Sequence, residues 1–115
     1  MRNLIVLAFF FIPFRNTAAE IKVGNNQQFQ HIKEAIAFAK PTDTVFIENG
    51  LYQEGNIVIT KSLHIYGEKN TILDGQGRFE ILTVSTNNFS IKGITFINSG
   101  YSLAIQPKVK KVAFT

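Results

Sequence analysis

Three short β-rich triplets, each followed by a glycine, recur along this 115-residue chain. They are Val45-Phe46-Ile47 running to Gly50, Leu63-His64-Ile65 running to Gly67, and Phe89-Ser90-Ile91 running to Gly93. The last residues of the triplets stand 18 and 26 positions apart, the length of one coil of a β-solenoid. A repeat of that size cannot bury its apolar face alone, so it must stack on its neighbours. Such a fold is a scaffold, and any chemistry it carries comes from a few side chains on one face.

Length allows at most one domain, and residues 1–19 are expected to lie outside it. Arg2 gives a basic start, Leu4 to Phe14 is an apolar run of 11 residues, and Thr17-Ala18-Ala19 supplies a small-x-small cleavage pattern. This reads as a signal peptide cut after Ala19. A membrane anchor is disfavoured, because a span needs about 20 apolar residues and this run is short and broken by Pro13. The chain has no cysteine, which excludes a lipid-anchored amino terminus, disulfides and thiolate metal sites. The expected location is periplasmic or secreted. Without Arg2 and Arg15 the formal charge falls from +4 to +2, with Lys108, Lys110 and Lys111 crowding the end. Aromatics do not interleave with these basic residues, so no nucleic-acid partner is expected.

The mature part, residues 20–115, opens with a strand at Ile21-Lys22-Val23 and a turn at Gly24-Asn25-Asn26. Phe29, Ile32, Ala35, Ile36 and Ala39 recur at helical spacing up to Pro41, which predicts a helix over residues 28–40 that plugs the first coil. The period then changes to two. Strands are expected at Thr44 to Ile47, Ile57 to Ile59, Leu63 to Tyr66, Thr71 to Leu73, Ile81 to Val84, Phe89 to Ile91 and Ile94 to Ile97. Turns are expected at 48–50, 67–70, 74–77, 86–88 and 98–100, and the glycines in them are read as positions of positive φ. Ile57/Ile59, Leu63/Ile65, Leu82/Val84 and Phe89/Ile91 should line the interior. The fold class is therefore all-β: a single-stranded parallel β-helix (solenoid) with a short N-terminal capping helix. An antiparallel sandwich is the alternative. The start of another coil at Leu103 to Phe114 makes about three coils, read as the C-terminally incomplete front portion of a longer solenoid.

Within this frame the run from Phe29 to Gly100 resembles the N-terminal coils of right-handed parallel β-helix proteins of the pectin lyase-like superfamily. The matching pieces are Ile32-x-x-Ala35-Ile36, Gly50-x-Tyr52-x-Glu54, Ser62-Leu63-x-Ile65-x-Gly67-Glu68, Ile72-x-Asp74-Gly75-x-Gly77 and Ile91-x-Gly93-Ile94-x-Phe96-x-Asn98-Ser99-Gly100. In order and spacing they are most similar to the periplasmic copper-binding NosD family. That resemblance implies a non-enzymatic accessory factor in nitrous oxide reductase maturation, working with an ABC-type transporter and a periplasmic metalloenzyme. Copper is implied for the full-length family, and no cofactor within these residues. The pectinesterases and polysaccharide lyases of the same fold open similarly, so a carbohydrate-active enzyme with a polysaccharide partner is the alternative, and a non-catalytic surface protein a third reading. The catalytic groups of those enzymes lie in later coils.

No catalytic residue is assigned. Tyr52 and Glu54 are candidate surface contacts for a sugar, set against a packed aromatic and a solvated carboxylate. Asp74 is a candidate calcium ligand or sugar contact, set against an aspartate that bonds its own turn. His64 is a weak metal candidate that should point out of the coil, and His31 lies on the cap helix. Asn88 begins a glycosylation sequon but reads better as a corner residue.

Overall fold

The computed structural model describes residues 17–100 and the backbone of two further strands, Ala104–Ile105 and Val112–Phe114. The expected leader through Asn16 lies outside the described residues. In chain order the elements are β1 (Glu20–Val23), α1 (Ile32–Phe38), β2 (Thr44–Ile47), β3 (Gly50–Tyr52), β4 (Ile57–Ile59), β5 (His64–Asp74), β6 (Leu82–Val84), β7 (Phe89–Ile97), β8 (Ala104–Ile105) and β9 (Val112–Phe114). Every named strand pairing is parallel. One sheet runs β1-β2-β5-β7-β9 with β3 also on β5, and the other runs β4-β6-β8. The chain is a parallel β-solenoid of about three turns, which rules out the sandwich.

Each full coil has three faces. The first carries β2 and the first halves of β5 and β7. The second carries β3 and the second halves of β5 and β7. The third carries β4, β6 and β8. The core is built from stacked rows of equivalent residues, as period-two alternation requires. Ile21, Val45, Ile65 and Ile91 form one buried row. Ile57 pairs with Leu82, and Ile59 with Val84, to form two more. Leu63 and Phe89, also fully buried, complete the interior pairs expected from the sequence.

Several expected boundaries move. The separate strands 63–66 and 71–73 are one strand, β5, and the turn placed at 67–70 is an irregular bend inside it. Likewise 89–91 and 94–97 merge into β7 across Gly93. Gly50 is not a turn residue but starts β3, a strand missed in the sequence. The first coil is also in a different register from the triplet alignment: Val45 pairs with Ile65, and Ile47 pairs with Gly67. The step is thus two residues longer than the spacing suggests, because turn geometry rather than local composition sets which inward residue stacks on which. Of the turn glycines, Gly67, Gly75 and Gly100 lack positive φ; they are small because neighbouring chain passes too close for a Cβ. Asn88, at φ 55°, is the corner residue expected.

The helix is shorter than predicted, seven residues rather than the 28–40 span. Phe29 is instead drawn into a parallel bridge with Val23, and Ala39 is already extended before Pro41. Its buried side chains, Ile32, Ala35 and Ile36, pack on β1, β2 and β4. It therefore covers the end of the first full coil, as a plug should. The turn after it is tied down by buried Asp43, whose carboxylate accepts the N–H groups of Lys40 (2.9 Å) and Ala19 (2.8 Å).

Candidate functional site

Glu54 lies in the link between β3 and β4, directly under the start of α1. Its carboxylate accepts the N–H groups of Ile32 at 2.7 Å and Lys33 at 2.9 Å, and His31 Nδ1 stands 3.9 Å away. The helix has no cap of its own, since His31 occupies the N-cap position without a side-chain bond. Glu54 supplies one from a distant part of the chain, and its negative charge suits the positive end of the helix. The opposite end is held by Lys61, just after β4. Its ammonium donates to the carbonyl oxygens of Ile36 (2.8 Å), Ala37 (3.0 Å) and Ala39 (2.6 Å). Lys61 was not legible as special in the sequence. Only the placement of α1 across β4 reveals that two residues seven positions apart meet its two ends.

Tyr52 shares a row with Leu73 and Phe96 and packs partly buried against the core. Its hydroxyl donates to the Glu48 carbonyl at 2.9 Å. Burial raises its pKa, with further contributions from the carboxylates of Glu48, Glu54 and Glu68. Tyr52 and Glu54 do share a polar cleft of about 410 Å³ with His31, Gln30, Asn49 and Gln53. Both are engaged by the framework as well: the ring packs partly against the core and the carboxylate is bonded to the helix.

Asp74 closes β5 and is buried. Oδ2 accepts Gln53 Nε2 at 2.8 Å, while Oδ1 accepts the Gln76 N–H at 2.8 Å and Asn98 Nδ2 at 3.1 Å. Gln53, Asp74 and Asn98 come from three successive coils and form a polar ladder beside the core. Gln53 and Asn98 were missed because their link to Asp74 appears only once the coils are stacked. The three donors, Gln53 first, hold the Asp74 carboxyl below its ordinary value of 3.8. A depressed folded-state pKa adds stability above the unfolded value that is lost as pH falls through the folded one. Acid titration followed by circular dichroism should show the parent losing stability below about pH 4. Asp74→Asn should be less stable at neutral pH and flatter in that window; an unchanged acid limb would remove Asp74 from this role.

His64 sits half-buried on the outside of β5, between inward Leu63 and Ile65. Its Nδ1 lies 2.7 Å from Ser90 Oγ on the next coil. His64 and Asp74 stand at opposite ends of β5. Among the described residues, no group of three or more histidine, aspartate or glutamate side chains converges on a metal-sized space. No family model, no curated protein and no solved structure matches this chain.

Proposed function

We propose that these coils are a non-catalytic scaffold within an exported β-solenoid protein. The observation that carries this reading is the engagement of all four chemically capable candidates in the framework. Glu54 caps α1, Tyr52 packs inward and bonds Glu48, Asp74 is held by three donors, and His64 pairs with Ser90. A lyase or esterase needs an acid and a base free to reach the same bond. An accessory factor needs only a surface, so the NosD-like role in metal-centre maturation is the form of the proposal we favour, with a transporter and a periplasmic metalloenzyme as partners. Incubating the chain with polygalacturonate and with methyl-esterified pectin, and following chain length by size-exclusion chromatography and methanol release, tests it. No shortening and no ester release are expected. Cleavage that disappears in Glu54→Gln or Asp74→Asn would replace the scaffold reading with the carbohydrate-active one.

A further inference from the structure

Asp43 is 5 % exposed, and among the described residues no ammonium or guanidinium group pairs with it. A buried carboxylate is normally matched by a cation, because an ion loses its hydration on burial. The two oxygens of Asp43 accept peptide N–H groups instead. Oδ2 takes that of Lys40 at 2.9 Å, three residues back, and Oδ1 takes that of Ala19 at 2.8 Å, across 24 positions. The backbone of Asp43 is fixed as well: its N–H donates to the Lys40 carbonyl at 3.0 Å, and its carbonyl accepts the His64 N–H at 3.0 Å. Ala19 is held on both sides, since its own carbonyl accepts the Thr44 N–H at 2.9 Å. Thr17 and Ala18, just before it, are exposed and outside any strand.

Ala19 stands at the end of the leader expected from the sequence, where hydrolysis would create a new amino terminus. A cut after Ala19 would remove it. Asp43 Oδ1 would then lose its donor and the Thr44 N–H its acceptor, and unmade bonds of this kind are destabilising. A cut one bond earlier keeps both. Water then adds across the Ala18–Ala19 peptide: Ala18 leaves with the new carboxylate, and Ala19 keeps the nitrogen, an ammonium below its ordinary value of about 8. From this contact we propose that Asp43 is the receptor for the α-ammonium of a chain that begins at Ala19. The ammonium supplies the counter-ion that the buried carboxylate otherwise lacks, and it ties β1 to the turn after α1 and the start of β2. The inference rests on the exported reading and adds to it a site where processing and folding meet. The other charged or titratable groups around this seat are Glu20 and Lys22 on β1, Lys40 in the turn, His64 on β5, and Lys61, whose ammonium donates to the Ala39 carbonyl at 2.6 Å. Among the described residues only Asp43 accepts from the Ala19 nitrogen.

Intact mass and N-terminal sequencing of the protein recovered after export give the first test, and Ala19 is the expected first residue. A cleaved chain that starts at Glu20 or anywhere else would overturn the proposal and leave the exported reading in place. An uncleaved chain retained in the cytoplasm would end both. Trace acetylation across a pH series, read by mass spectrometry at the N-terminal peptide, then follows the α-amine. Pairing favours its charged form, so the midpoint should lie above about 8 by a unit or more, a proton affinity about tenfold higher. Asp43→Asn should return the midpoint to about 8, and Glu20→Gln should leave it raised. A folded-state amine pKa above the unfolded one contributes stability that is full below the unfolded value and lost as pH rises through the folded value. The urea midpoint of the parent should therefore fall between about pH 8 and about pH 10, and that of Asp43→Asn should not. If Asp43→Asn does not fold, the parent amine decides alone: an Ala19 amine that titrates at about 8 would overturn the proposal.

Discussion

Replacing Gly93 by alanine is expected to cost the solenoid roughly 2–4 kcal/mol, a large share of the stability of a small domain. Gly93 sits at φ +77° in the middle of β7, where a side chain is strained by about 1–2 kcal/mol on its own. Its added Cβ would also run into the carbonyl oxygen of Gly67 on the coil below. The relation is mutual, since a Cβ on Gly67 would come within 2.6 Å of the Gly93 carbonyl and against the Ile94 side chain. Backbone on both sides cannot yield as a flexible side chain would. Gly77 provides the control: its φ is +70°, but nothing lies within 4 Å of an added Cβ. Gly77→Ala should therefore lose only the strain, about 1 kcal/mol. Urea unfolding curves for the two variants make the comparison. Equal midpoints for Gly93→Ala and Gly77→Ala would show that the close approach of the two coils contributes nothing.

The second large effect concerns the plug. Glu54→Ala removes the acceptor of two helix N–H groups and should destabilise the chain by about 2 kcal/mol. Lys61→Met removes the donor to three carbonyl groups at the other end and should cost about 1 kcal/mol. The double variant should lose less than the sum. A seven-residue helix has little stability apart from its docking, so once one end is released the other restrains little. Undocking would uncover Ile32, Ala35 and Ile36 and the coil end they cover, and an open solenoid end invites association. Hydrogen exchange across Ile32–Phe38 and concentration-dependent size-exclusion chromatography would report both consequences. Full additivity, with protection of the helix unchanged in either single variant, would show that the two charges do not act as a clamp.

The alternation of inward residues was legible because it depends only on the two-residue period of a strand. Ile57/Ile59, Leu63/Ile65, Leu82/Val84 and Phe89/Ile91 could be assigned to the interior with no knowledge of what they pack against. The bend within β5 was not, because Gly67-Glu68-Lys69-Asn70 has the composition of a turn. Tertiary pairing to β2 and β3 on one side and β7 on the other keeps it in the sheet. The helix was over-extended because Phe29 and Ala39 fit its apolar period, yet bridging to Val23 and the approach to Pro41 draw them out of it.

For the candidate site the division falls differently. Asp74 bonding to its own turn through Gln76 is a local event, and the Asp-Gly-x-Gly composition announces it. Its bonds to Gln53 and Asn98 span more than twenty residues and depend on which coil lies on which. Glu54 was visible as a carboxylate but not as a helix cap, for the same reason. The recurring triplets and their glycines determined by themselves which residues face inward and that the strands must stack; the parallel pairing that makes the stack a solenoid and not an antiparallel sandwich belongs to the tertiary structure. The register belongs to the tertiary structure alone. A two-residue shift in the first coil leaves every inward residue inward but changes its partner. That shift sets Phe46 beside Tyr66, between the lysines of β1 and β7.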